Sequence, residues 1–149
     1  MPKESAPSAR LTRADLGFLL AKGSQRWNEL LYAEFRKRGF AEVRPSYGSI
    51  LIPLYEQDGL RIGQLAERAR LSKQTMTTLV RRAQRDGLVR REPDPSDGRA
   101  ALVWLTDRSR AFRPVAEAAV AALERHVAAR LTPERMLELT SALAELTDL

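Results

Sequence analysis

SKQTMTTLVRRAQRDG, from Ser72 to Gly87, carries a helix start at one end and a helix stop at the other. Ser72 is a favoured N-cap residue. Asp86-Gly87 is a natural terminator, because glycine enters the left-handed backbone region without a Cβ penalty. Between them Met76, Leu79, Val80 and Ala83 recur at the spacing that puts four side chains on one helix face. The opposite side is Lys73, Gln74, Thr77, Thr78, Arg81 and Arg85, with no acidic residue before Asp86. One side of this helix is built for burial, and the other offers cations and amide groups to solvent or to a partner.

On the N-terminal side, Ile62, Leu65, Ala66 and Ala69 mark a short helix that breaks at Arg70-Leu71, so the two helices form a helix-turn-helix. On the C-terminal side, Leu88 to Glu92 and Ala101 to Leu105 are strand candidates. The connection between them, Pro93 to Gly98, has hairpin-loop chemistry but is too long for a two-residue turn. A further helix is expected from about Pro45 to Gln57, with Pro53 predicting a kink or an early end.

The flanks are helical. Met1 to Leu11 is rich in Pro, Ser and Ala and reads as a flexible arm. Thr12, with Asp15 three residues on, suggests a capped start to a long helix ending near Gly39. Its apolar stripe is Leu16, Leu19, Leu20, Gly23, Trp27, Leu30, Leu31 and Phe35. Thr106 caps an Ala-rich helix to about Arg130, and Thr132-Pro133 opens a last one carrying Met136, Leu137, Leu139, Leu143 and Leu146. Residues 12–149 thus read as one mainly α domain with a small β-hairpin, as the length of 149 residues also suggests. Residues 45–106 form a small section that cannot cover the apolar stripes of residues 12–39 and 107–149. Such stripes must be buried, and a second copy of the chain is the simplest cover, which makes these flanks dimerisation helices.

Composition removes several function classes. There is no cysteine, so disulfides and thiolate chemistry are excluded and structural zinc lacks its usual ligands, while the one histidine, His126, cannot by itself build a metal site or a catalytic triad. No stretch approaches the roughly 20 apolar residues of a membrane span, and the start of the chain has no apolar signal-peptide core, so a cytoplasmic location is expected. The net charge of +6 is concentrated: Arg61 to Arg113 holds 13 basic and 6 acidic residues, while the remainder is nearly balanced. A concentrated cationic surface attracts phosphate through counterion release.

The segment Asp94-Pro95-Ser96-Asp97-Gly98-Arg99-Ala100, followed by Val103-Trp104-Leu105-Thr106, resembles the wing of the MarR family of winged helix-turn-helix transcription regulators. The run Leu65-Ala66-Glu67 through Ser72 to Thr77 resembles that family's helix-turn-helix, and the helix order is similar along nearly the whole chain. Two departures stand out: Arg70 occupies a turn that often carries glycine, and Gly98 sits where a second basic residue is common.

The resemblance implies a homodimeric, sequence-specific regulator, a repressor of a pseudo-palindromic double-stranded DNA operator. Ser72, Lys73, Gln74 and Thr75 would stand at the entry of the recognition helix, with Thr77, Thr78 and Arg81 further along it. Glutamine can pair with adenine, lysine or arginine with guanine, and threonine methyls with thymine methyls. Arg99 would enter the minor groove, with Asp97 holding it by a charge-assisted hydrogen bond. Arg90 and Arg91 are candidate phosphate contacts. The resemblance further implies a small aromatic ligand, for which Trp27 and Tyr47 are the preferred pocket residues. No catalytic residue, metal or cofactor is expected. The competing reading is a nonspecific nucleic-acid-binding or protein-interaction module on the same scaffold, separable by its indifference to DNA sequence.

Overall fold

A computed structural model describes residues 11–149, so the expected arm lies outside the described residues except for exposed Leu11. The helices are α1 (Leu16–Lys37), α2 (Gly48–Glu56), α3 (Ile62–Ala69), α4 (Lys73–Arg85), α5 (Asp107–Leu131) and α6 (Pro133–Thr147). The strands β1 (Leu60–Arg61), β2 (Val89–Asp94) and β3 (Asp97–Leu105) form an antiparallel sheet in the order β1-β3-β2. The expected class, mainly α with a small hairpin inside a winged helix-turn-helix, is the fold observed.

Four details differ from expectation. Thr12 does not cap α1. The Asp15 carboxylate instead accepts from the Thr12 backbone N–H at 2.6 Å and from its hydroxyl at 3.0 Å, closing a turn, and the helix begins one residue after Asp15. The second helix is preceded by a single 3-10 turn, Pro45–Tyr47, and α2 runs through Pro53 to Glu56. A third strand, β1, was not expected; its two residues pair with Val103 and Leu102.

The fourth difference concerns the hairpin. Only Pro95 and Ser96 separate β2 from β3, because Asp94-Pro95 supplies the residues that the first two positions of a tight turn favour. The extra length sits on one strand. Asp94 pairs with Asp97 but Pro93 pairs with Ala101, so Gly98-Arg99-Ala100 bulges out of the ladder.

Met76, Val80 and Ala83 of α4 are fully buried, with Leu79 half-buried, against Leu65, Leu88 and Val103. Burying a Val or Met side chain is worth about 1.5–3 kcal/mol, which fixes which face of α4 points outward. The Phe112 ring of α5 meets Phe35 edge-on at 4.8 Å and Phe40 at 5.2 Å, tying α1 and α5 to this core. The covered part of α1 stops there: Leu31 and Phe35 are buried, whereas Leu16, Phe18 and Leu19 are exposed. No residue of α6 is buried, and Leu137, Leu139 and Leu143 face solvent.

Candidate nucleic-acid interface

Local chemistry sets the start of α4. The Ser72 hydroxyl oxygen accepts from the Thr75 backbone N–H at 3.1 Å and donates to the Thr75 hydroxyl at 2.8 Å, so both side chains hold the helix entry. The preceding residue but one, Arg70, caps α3 in the left-handed region at φ 54°, turning the chain between the two helices. Lys73, Gln74, Thr75, Thr78 and Arg81 are exposed on one side of α4, while Thr77 is half-buried. Thr77 and Thr78 donate their hydroxyls to the carbonyls of Lys73 and Gln74, at 2.8 and 3.2 Å, which leaves their methyl groups as what they can offer outward.

Electrostatics separate the basic residues into two sets. Of the 13 between Arg61 and Arg113, eight are held by protein groups. Arg61 binds Asp94, Arg68 binds Gln57, Arg70 binds Asp148, Arg108 binds Glu42, Arg110 binds Asp58 and Arg113 binds Glu117. Arg90 donates to Glu92 and Arg91 to Gln84, each at 2.9 Å, so the two expected phosphate contacts are both engaged within the hairpin and its junction with α4. The other five of these 13, Lys73, Arg81, Arg82, Arg85 and Arg99, make no side-chain hydrogen bond or ion pair with the described residues. Four of these five lie on α4 and the fifth in the wing bulge. Cations without partners keep their full capacity for an external anion, and they converge on the two elements that read DNA in a winged helix.

The wing departs from expectation in one bond. Asp97 Oδ1 accepts from the Arg99 backbone N–H at 3.1 Å and not from its guanidinium. The bulge removes Arg99 from the β2 ladder, and the Asp97 carboxylate satisfies the N–H left over. The side chain stays exposed and unpaired.

Neither preferred aromatic lines either of the two clefts described below. Tyr47 is 1% exposed, belongs to the core and donates its hydroxyl to the Asp86 carboxylate at the end of α4. Burial, aided by that carboxylate, pushes the phenol up to about 12. Trp27 is half-buried against the same core. The clefts are elsewhere. One of about 570 Å³ lies between α1 and the turn before α2, beside Tyr32 and Arg44. Another of about 460 Å³ lies between α2 and α5, lined by Ile52, Tyr55, Arg113 and Val120. There the Arg113 guanidinium sits 5.2 Å from the Tyr55 ring centre, and burial pushes the Tyr55 phenol up to about 12.

Arg82, the Arg61–Asp94 pair and Asp58 did not stand out in the sequence. Arg82 lies on the edge of the apolar stripe. Asp94 meets Arg61 across 33 residues, a separation no local pattern reveals. Asp58 accepts from the Leu105 backbone N–H at 2.9 Å and binds Arg110, closing the base of the sheet. Among the described residues no group of His, Asp or Glu is placed to hold a metal, and no helix is long and apolar enough to cross a membrane.

Comparison with known proteins adds independent weight. The model of the MarR family matches residues 45–101. The HTH-type transcriptional repressor Rv2887 of Mycobacterium tuberculosis is 37% identical over 119 residues, covering 71% of this chain and 86% of the relative. Its crystal structure, in complex with salicylic acid, aligns with a TM-score of 0.62 at 32% identity over 89% of this chain and 96% of that one. A probable transcriptional regulator from Pseudomonas aeruginosa aligns at TM-score 0.77 and 28% identity, covering 89% and 97%. The repressor CouR, bound to a 23-mer DNA duplex, shares the fold at TM-score 0.77 and 23% identity over 93% and 99%.

Proposed function

This chain belongs to the MarR family of DNA-binding transcription regulators, a non-enzymatic role, and we propose that it acts in the cytoplasm as a homodimeric repressor of a pseudo-palindromic operator. The observation that carries the reading is that the five unpaired cations of the basic segment Arg61 to Arg113 all lie on α4 and the wing. Ser72 and Thr75 present the helix N-terminus to a phosphate, where free N–H groups and the positive dipole end favour an anion. Lys73, Gln74 and Arg81 reach base edges in the major groove, and Thr77 and Thr78 offer methyl groups to thymine. Arg99 enters the adjacent minor groove, and Asp97 shapes the bulge that carries it. Arg90 and Arg91 serve as phosphate contacts only after giving up Glu92 and Gln84, so their share is secondary.

Two copies are required for a repeated half-site, and the exposed leucines of α1 and α6 support a helical dimer interface. The ligand is a small aromatic acid held in the α2–α5 cleft, its ring beside Tyr55 and its carboxylate taking Arg113 in exchange for Glu117; the salicylic acid complex of Rv2887 supports that chemistry. Trp27 and Tyr47, the aromatics the sequence favoured, do not line this cleft. The ligand weakens DNA binding only by the difference in its affinity for the two dimer conformations.

Fluorescence anisotropy on the upstream intergenic duplex and on a scrambled one tests the reading. A preference of about 10³-fold or more for the native duplex, reduced by Gln74→Ala and by Arg99→Ala, supports it. Equal binding to both duplexes, with neither substitution mattering, favours the nonspecific alternative.

A further inference from the structure

The Arg61–Asp94 pair joins the start of α3, the first helix of the helix-turn-helix, to the hairpin that carries the wing, and nothing in the family comparison assigns it a role. Arg61 occupies the N-cap position of α3, the first helix of the helix-turn-helix, and its backbone belongs to β1. Its Nε donates to Asp94 Oδ2 at 2.8 Å, and its Nη2 approaches the same oxygen at 2.5 Å. The other oxygen, Oδ1, accepts from the Ser96 backbone N–H at 2.9 Å and from the Ser96 hydroxyl at 2.8 Å. Asp94 is 7% exposed, and both of its carboxylate oxygens are taken. One oxygen therefore builds the hairpin turn and the other ties that turn to the start of α3.

Ladder pairing sharpens the point. The register slips immediately after Pro93, so no regular pairing with β2 fixes Gly98-Arg99-Ala100. Arg61 also pairs with Leu102, next to the residue where regular pairing resumes. The bulge bearing Arg99 is thus bounded on one side by the Asp94 turn and on the other by β1, and Arg61 holds both.

We propose that Arg61 and Asp94 are the positioning residues of the wing, fixing Arg99 relative to α4 so that major- and minor-groove contacts form together. The inference rests on the DNA reading above. A wing without this clamp would bind in many orientations, and the ordering cost would fall on each binding event. Neither residue touches DNA in this account; each acts through Arg99.

Asp94→Asn is the informative variant, because an asparagine oxygen still accepts from Ser96 and preserves the turn while the charge facing Arg61 is lost. It is run with Arg61→Ala, Arg61→Lys, Arg99→Ala and the Arg61→Ala/Arg99→Ala double variant, all as full-length chains checked for wild-type thermal unfolding. The readouts are operator affinity and hydroxyl-radical footprints over the minor-groove flanks. Asp94→Asn and Arg61→Ala are expected to weaken binding about tenfold, to erase flank protection while major-groove protection persists, and to add nothing to Arg99→Ala. Arg61→Lys should recover part of the loss, since lysine keeps the charge but not the planar fork. Unchanged flank protection in folded Asp94→Asn, or losses fully additive with Arg99→Ala, would overturn the clamp and leave the DNA reading standing. Absence of binding by the wild-type protein to any duplex would overturn both. If Arg61→Ala proves unstable, Asp94→Asn and Arg61→Lys decide the question.

Discussion

Tyr47 illustrates how a single residue can be placed correctly along the chain and misread in space. The sequence offers an aromatic beside Gly48 near a helix start, which is what a ligand pocket would use. The fold turns it inward, because its hydroxyl finds Asp86 39 residues away, and no local pattern announces that distance. Asp86 is exposed and takes up water when the hydroxyl is removed, so Tyr47→Phe should cost about 0.5–1.5 kcal/mol in urea unfolding, the net worth of one hydrogen bond. Asp94 behaves in the opposite sense. Hydrogen bonds from the Ser96 backbone and hydroxyl, with Arg61 beside them, hold its carboxyl below the usual carboxylate range. A carboxyl lowered in the folded state contributes stability above its unfolded pKa and loses it as pH falls through the folded value. Thermal unfolding followed downward from neutral pH should therefore show an acid-side loss that is smaller in Asp94→Asn. Gln74 and Arg81 were legible as outward-facing residues from helical spacing, and Arg99 from the resemblance of the wing; the role of Asp94 was not, because its partner Arg61 lies 33 residues away.

At the scale of elements, caps and periodicity carried most of the information. Ser72, Thr106 and Thr132 each accept from the backbone N–H three residues on, at the three helix starts their types suggested. The errors lie where tertiary pairing intervened: the hairpin loop shrank to Pro95-Ser96, and β1 is too short to show any alternation. Arg70 gives an element-level prediction. It holds the α3–α4 turn at φ 54° in a region that disfavours a Cβ by roughly 1–2 kcal/mol. Its partners, Asp148 and the Thr147 carbonyl, are exposed and contribute little. Arg70→Gly should raise the unfolding midpoint, with a gain of about 0.5–1 kcal/mol after the added freedom of the unfolded chain is set against the relieved strain. A lower midpoint would show that the contact with the end of α6 outweighs the turn.

For the whole molecule, the long apolar stripes of the flanking helices were visible in the sequence, but their division was not. Phe35, Phe112 and Leu123 serve the core of one chain, while Leu16, Leu19, Leu137 and Leu143 are left outside it. Those exposed residues are where a second copy should sit. Leu137→Glu combined with Leu143→Glu should convert the dimer to monomer in light scattering at micromolar concentration, with little change in helical circular dichroism. A wild-type protein already monomeric there would contradict the dimer. In the proposed dimer, two outward-facing α4 helices and two Arg99 wings read one repeated sequence. Selection from a randomised duplex library with the wild-type protein tests it most directly. The expected product is an inverted repeat whose half-sites are centred about 10–10.5 base pairs, or a multiple, apart, flanked by A·T-rich segments under the wings. Recovery of no common sequence, or of a single unrepeated half-site, would contradict it.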